Sequence, residues 1–142
     1  MNQKTEIVNK LRSSKLRPTR QRIRIAEFLF NREKTFHFTI ENLNKNVNKK
    51  DNSENISLAT IYNTVEAFKK AGHLKEILIK EGKSYFDTNT SSHHHFYDEV
   101  NNELTDIENN KIELKKFPTP PRGKSIKDVN VIINIDNDNQ KH

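Results

Sequence analysis

The sequence predicts an α+β protein of two units. Three observations carry that prediction: helix-period apolar stripes as far as residue 70, a short hairpin pattern after them, and a change of character beyond Asp87. Ile7, Val8 and Leu11 mark a first helix, and Ile23, Ala26 and Phe30, with Ile25, Phe28 and Leu29 beside them, mark a second. Thr19 supplies the N-cap of the second helix, and Pro18 discourages a continuous run from the first. A third helix begins after Thr39 with Ile40, Leu43 and Val47 on one stripe. After a polar loop over 48–55, Ser57 caps a fourth, whose inward stripe is read as Leu58, Ile61, Val65 and Phe68. Gly72 sits where a left-handed stop is wanted, and strands over 74–79 and 83–87 turn at Glu81 and Gly82. Helices followed by a basic-edged hairpin are the order of a winged helix, assigned to residues 1–88.

Residues 89–92 read as a polar hinge. Strands follow over 93–99 and 103–107, then a charged segment over 108–117 with helical character, then a loop forced by Pro118, Pro120, Pro121 and Gly123. Val129, Val131, Ile133 and Ile135 alternate with Asn130, Ile132, Asn134 and Asp136 as a half-buried strand, and 137–142 is a polar tail. The second domain, 93–136, is therefore a small α/β unit. At this size a core is hard to complete alone, and pairing with a second copy would supply the missing burial.

The chain has 142 residues, no cysteine and a net charge of +6. Disulfides, thiolate chemistry and Cys-ligated zinc are thereby excluded. No apolar run suits a membrane span or a signal peptide, which leads to the expectation of a cytoplasmic protein. Residues 1–88 hold 18 Lys or Arg against 10 Asp or Glu, while 89–142 hold 7 against 9. Lys10, Arg12, Lys15, Arg17, Arg20, Arg22 and Arg24 follow one another with no acid between them. Such a segment fits a polyanion, and phosphate neutralisation supplies the bulk affinity for nucleic acid. On the fourth helix Ser57, Thr60, Tyr62 and Asn63 are left outward near the N-terminal end, the end that meets bases in helix-turn-helix proteins. Together these features favour double-stranded DNA.

His93, His94 and His95 form the one concentrated ligand group. In a strand His93 and His95 share a face while His94 lies on the other. Completing a site needs ligands from elsewhere, for which His37, Asp87, Asp106 and Glu113 are candidates. Imidazole with carboxylate suits Fe(II), Zn(II) or Mn(II).

The assembled residues resemble the ferric uptake regulator family of bacterial metal-responsive transcription factors, over residues 16–135. The resemblance lies in Ser57-Leu58-Ala59-Thr60-Ile61-Tyr62-Asn63-Thr64, in Gly82-Lys83-Ser84-Tyr85-Phe86-Asp87 and in His93-His94-His95. The continuation Phe96-Tyr97-Asp98-Glu99 to Asp106-Ile107 looks most like the iron response regulator branch, which answers to haem. The resemblance implies one metal site at His37, Asp87, His95 and Asp106. It also implies haem binding through His93, His94 and His95, and places Arg17 near the minor groove and Tyr62 in the major groove; Arg20 belongs to the same basic segment. A second site used by other members would fall on His94, Phe96 and Glu113, and Phe96 cannot ligate, so that site is expected to be missing. The implied function is a homodimeric regulator of iron and haem genes on a pseudo-palindromic, AT-rich operator with half-sites roughly 10 bp apart. Two other classes fit parts of the sequence: a small metal-dependent hydrolase using the His and carboxylate residues, and a metal-independent architectural DNA binder.

Overall fold

The computed structural model describes residues 3–48 and 54–138, in two units, Met1–Thr90 and Ser91–His142. Parts of the predicted 48–55 loop and 137–142 tail lie outside the described residues. In the first unit α1 (Gln3–Ser13) buries Ile7 and Leu11. It stops with Lys15 at φ 60° and with the Leu16 N–H donating to the Leu11 carbonyl at 2.9 Å, the closing bond of a Schellman motif. Helix α2 (Arg20–Phe30) is capped by Thr19, whose hydroxyl accepts from the Arg22 N–H at 3.3 Å. Its fully buried stripe is Ile25, Ala26 and Leu29, with Ile23, Phe28 and Phe30 half-buried beside it.

Helix α3 (Ile40–Val47) opens on a capping box. Thr39 Oγ1 accepts from the Asn42 N–H at 3.0 Å, and Asn42 Oδ1 accepts from the Thr39 N–H at 3.4 Å. Just past the helix, Asn48 accepts from the Ile56 N–H at 2.6 Å and donates to the Ile56 carbonyl at 2.8 Å. One side chain thus mimics a strand partner and ties the two ends of the connection together.

Helix α4 (Leu58–Lys70) is capped by Ser57, which accepts from the Thr60 N–H at 3.2 Å. Its buried residues are Ile61, Thr64, Val65 and Phe68, and Leu58 is 50% exposed. The expectation that Leu58 faces inward is therefore corrected. Ile56, one residue before the cap, takes the core position next to that end of the helix and belongs to the same cluster as Ile61, the arrangement of a hydrophobic staple. Thr64 can be buried because its hydroxyl donates to the Thr60 carbonyl at 2.7 Å. Gly72, at φ 84°, ends the helix as the sequence suggests.

The first sheet has the order β1-β3-β2. Strands β2 (Lys75–Lys80) and β3 (Lys83–Asp87) form the predicted hairpin. Strand β1 (His37–Phe38) is a strand the sequence does not disclose, since two residues show no alternation. It pairs antiparallel with β3 and sets His37 opposite Asp87. Helix and wing are joined by Glu76 of β2, which accepts from Lys69 Nζ of α4 at 2.8 Å and from the Ser84 hydroxyl of β3 at 2.6 Å.

The second unit is a sheet of order β5-β4-β6. Strands β4 (His94–Asp98) and β5 (Glu103–Ile107) are antiparallel, and β6 (Ile132–Ile135) runs parallel to β4. The β4–β5 turn is held by the Asp98 carboxylate, which accepts from the Val100 and Asn101 N–H groups, and by the Tyr97 hydroxyl donating to Asn102 at 2.8 Å. In place of the helical segment expected over 108–117, a single 3-10 turn is found at Asn109–Lys111. Ile112, Leu114 and Phe117 offer a single pair at helical spacing, Leu114 with Phe117, too little to bury one helix face, and Pro118 blocks continuation. The α+β class holds, with helix concentrated in the first unit. Among the described residues no helix is long and apolar enough to cross a membrane.

The Glu76 junction sets a pH dependence. Lys69, then Ser84, hold the Glu76 carboxyl below its ordinary value, so its contribution is present above the usual carboxylate range and is lost as pH falls through the lowered value. Glu76→Gln should cost about 1 kcal/mol or less at neutral pH, the scale of a partly exposed pair. That difference should shrink to nothing in acid, as followed by chemical denaturation at several pH values.

Candidate metal centre and nucleic-acid face

In the first unit the β1–β3 register brings His37 Nε2 to 3.3 Å from Asp87 Oδ2. The other Asp87 oxygen accepts from the Asn89 N–H at 2.8 Å. The pairing is continued by Phe36 and Thr88, whose N–H groups donate to the Thr88 hydroxyl and the Phe36 carbonyl at 3.0 and 3.2 Å. Asp87 is buried, so its charge demands a cationic or hydrogen-bonding neighbour.

In the second unit His93 and His95 direct Nε2 at the same oxygen, Asp106 Oδ1, each at 3.2 Å. His95 faces Asp106 in the β4–β5 register. His93 Nδ1 lies 2.8 Å from the Ser91 carbonyl. A carbonyl accepts only, so Nδ1 carries the proton and a neutral His93 turns its Nε2 lone pair toward the carboxylate. His93 Nε2 and the carboxylate oxygen then face each other lone pair to lone pair, a contact relieved when a cation lies between them. That cation is a second proton or a metal, and the Nδ1–H to carbonyl bond is the support that metal-ligating imidazoles commonly have. The ligand atoms of His93, His95 and Asp106 all lie within 4.8 Å of one another, a set that suits a divalent metal.

His94 is different. Its Nδ1 accepts from the Val131 N–H at 3.0 Å, so a neutral ring keeps its proton on Nε2 and has no lone pair for a ligand there. The ring lines a cleft of about 300 Å³ with Ile112, Leu114, Phe117 and Val129. The three consecutive histidines therefore divide two to one. The metal set read from the sequence omitted His93, although its shared strand face with His95 was a usable signal. Glu113 is exposed and absent from the donor group.

On the first unit Tyr62 is 51% exposed, and Asn63 and Arg17 are exposed as well. The Arg20 side chain is largely exposed, 3.4 Å from Glu54. The Ser57 hydroxyl donates to that of Thr60 at 2.9 Å, so both hydroxyls are committed in part to capping. Other cations of the basic segment are used inside the unit. Arg24 donates to the Glu54 carbonyl at 2.6 Å and to that of Val47, Arg22 donates to the Arg17 carbonyl at 3.3 Å, and Lys10 stands 4.2 Å over the Phe30 ring. The exposed face of α4 presents Leu58, Ala59, Tyr62 and Asn63.

Fold and donors together define a winged-helix protein joined to a metal-binding sheet unit. Residues 13–134 match the model of the ferric uptake regulator family, and the chain belongs to that family. Members of it are transcriptional regulators, which sets the hydrolase alternative aside. Among its relatives, the peroxide-responsive repressor PerR of Staphylococcus epidermidis is 33% identical over 102 residues, covering 72% of this chain and 65% of that protein. The peroxide operon regulator of Bacillus subtilis is 34% identical over 90 residues, covering 63% and 59%. The matched segments thus span less than two thirds of the length of these relatives. In structure the chain is similar to the Vibrio cholerae ferric uptake regulator, with a TM-score of 0.68, 22% identity and coverage of 91% of this chain and 98% of that one. It is also similar to the manganese-containing regulator of Pseudomonas aeruginosa, with a TM-score of 0.64, 22% identity and coverage of 91% and 96%.

The tautomers predict unequal effects within the histidine run. His93→Ala should lower Mn(II) affinity by more than about tenfold, at least the scale of disturbing a ligand's support, and His94→Ala should leave it within a factor of about two. Calorimetric titration of the folded variants measures both; equal losses would overturn the division.

Proposed function

We propose that the protein is a homodimeric, metal-responsive DNA-binding regulator of transcription, whose metal is held by His37, Asp87, His93, His95 and Asp106 together. The convergence of His93 and His95 on Asp106 carries this reading, because it offers a divalent cation three donor atoms in one place. His37 and Asp87 offer two donors and the second unit three, so joining them completes a coordination sphere that neither half fills alone. Five residues separate Asp87 from His93, which keeps their Cα atoms within about 20 Å even when fully extended. The residues supply the ligands, and the divalent ion would supply a positive charge linking the two halves. A change in ion or in its oxidation state then biases the arrangement of the halves by its differential affinity alone.

Residues 1–88 act as the DNA-binding domain, 89–92 as the hinge and 93–136 as the dimerisation domain. Arg17 and Arg20 meet phosphates and groove, while Ser57, Thr60, Tyr62 and Asn63 face the operator, which is pseudo-palindromic and AT-rich. Leu58, exposed beside them, adds an apolar contact suited to a thymine methyl. Dimerisation would cover Ile133 and Ile135, both exposed on β6.

The names of the similar repressors favour peroxide as the signal. Control of iron and haem genes in the manner of the iron response branch is the second reading. It rests on the run His93-His94-His95-Phe96-Tyr97 and on the cleft of mixed polarity beside His94.

Gel shifts on AT-rich promoter DNA with chelator, Mn(II), Zn(II), Fe(II), Fe(II) with peroxide, and haem separate these readings. Metal should tighten binding at least about tenfold, a coupling within the usual range, and peroxide should release the Fe(II) form but not the Mn(II) form. Release by haem instead would favour the second reading. Affinity indifferent to chelator would leave only an architectural binder.

Leu58→Ala should lose about fourfold on such DNA per methyl contacted, and no more is lost on DNA carrying uracil for thymine. An equal loss on both DNAs would remove Leu58 from base reading.

A further inference from the structure

Residues 89–142 are mildly acidic, yet Lys115, Lys116, Arg122, Lys124 and Lys127 follow one another with no acid between Glu113 and Asp128. The metal donors and the sheet leave this stretch without a role. It is exposed along its length, with only Pro120 half-buried. Among the described residues no ion pair engages these five cations, in contrast to Arg22 and Arg24 of the first unit, which are spent on backbone carbonyls.

The backbone that carries them is preset. Pro118, Pro120 and Pro121 each fix φ. The Lys124 N–H donates to the Pro121 carbonyl at 2.9 Å, and Gly123 stands at φ 79°. This is a turn with glycine at its third position and Arg122 at its second, the pattern of type II. Fixed φ angles and a closed turn lower the entropy lost when such a segment is immobilised by a partner.

We propose that 115–127 is a second duplex-binding element: an extended basic arm whose lysines meet phosphates and whose Arg122 enters the minor groove. A minor groove about 6 Å wide excludes a helix and admits an arm, and the narrow groove of A·T tracts draws arginine through its negative potential. Gly123 beside Arg122 lets the backbone approach without a side chain in the way. DNA is favoured over an acidic protein because the arm is tethered to a winged helix. Tethering raises the local concentration of duplex toward the millimolar range, where a few exposed charges suffice. The inference rests on the DNA-binding reading above, and the test separates the two.

The experiment measures anisotropy of a labelled A·T-rich duplex with the Mn(II)-loaded full chain between about 50 and 200 mM salt, the range over which phosphate contacts dominate the salt dependence. Each phosphate contact contributes about 0.9 to the slope of log K against log salt. Replacing all five cations by Gln should therefore lower the slope by about 4.5, and Arg122→Gln with Lys124→Gln by about 2. Arg122→Lys should keep the slope and reduce the preference for A·T over G·C duplexes. Thermal melting confirms that the variants fold. Wild type and variants of identical slope would overturn the arm while leaving the winged-helix reading intact; this is the result expected if exposed Phe117 and Ile126 instead serve a protein partner. A duplex that wild type fails to bind overturns both.

Discussion

The convergence of two imidazole nitrogens on one carboxylate oxygen, each 3.2 Å from it, is the constraint on which the candidate site rests. Strand register imposes it: His95 lies across from Asp106, and His93 comes round to the same face two residues earlier. The first unit does something parallel, with His37 placed across from Asp87 by two residues of strand pairing. In each case the scaffold is a short antiparallel ladder whose backbone bonds fix the side-chain positions, so the donors are held in place whether or not a cation has arrived. A ligand set positioned in advance loses little conformational entropy when it is occupied.

Much of the fold was legible because helices advertise themselves over many residues. Thr19, Thr39 and Ser57 all cap as expected, and Ile61, Val65 and Phe68 fill the core. What escaped is short or depends on pairing partners distant in sequence. Strand β1 has two residues, too few for any period, yet it positions His37. Leu58 looked like the start of the buried stripe, but Ile56 outcompeted it from just outside the helix. The face shared by His93 and His95 is visible in their spacing, whereas the Ser91 carbonyl that fixes the His93 tautomer is not. The expected helix over 108–117 failed because charge and helical propensity without a buried stripe gain too little to hold one.

The net charge of the chain also divides more finely than its total suggests. Within the basic segment some guanidinium groups act as internal braces: Arg24 fastens the end of α3 and the residue before Asn55, and Arg22 donates to the Arg17 carbonyl; beyond the segment, Arg32 lies 4.6 and 3.6 Å from the Phe28 and Phe36 rings. Only the remaining cations are free to work outward. Counting charge by sequence overstates the polyanion surface of the first unit, while the acidic balance of the second hides a cationic segment.

The Asn48 latch has a consequence for how this fold can vary. Because Asn48 and Ile56 are bonded to each other in both directions, the ends of the connection between α3 and α4 are fixed independently of the seven residues between them. The entropy of closing such a span rises only slowly, by about 0.6 kcal/mol for each doubling of its length. Insertions or grafted peptides at this place should therefore be accepted without moving α4, which makes it a natural site for lengthening the chain or carrying a reporter.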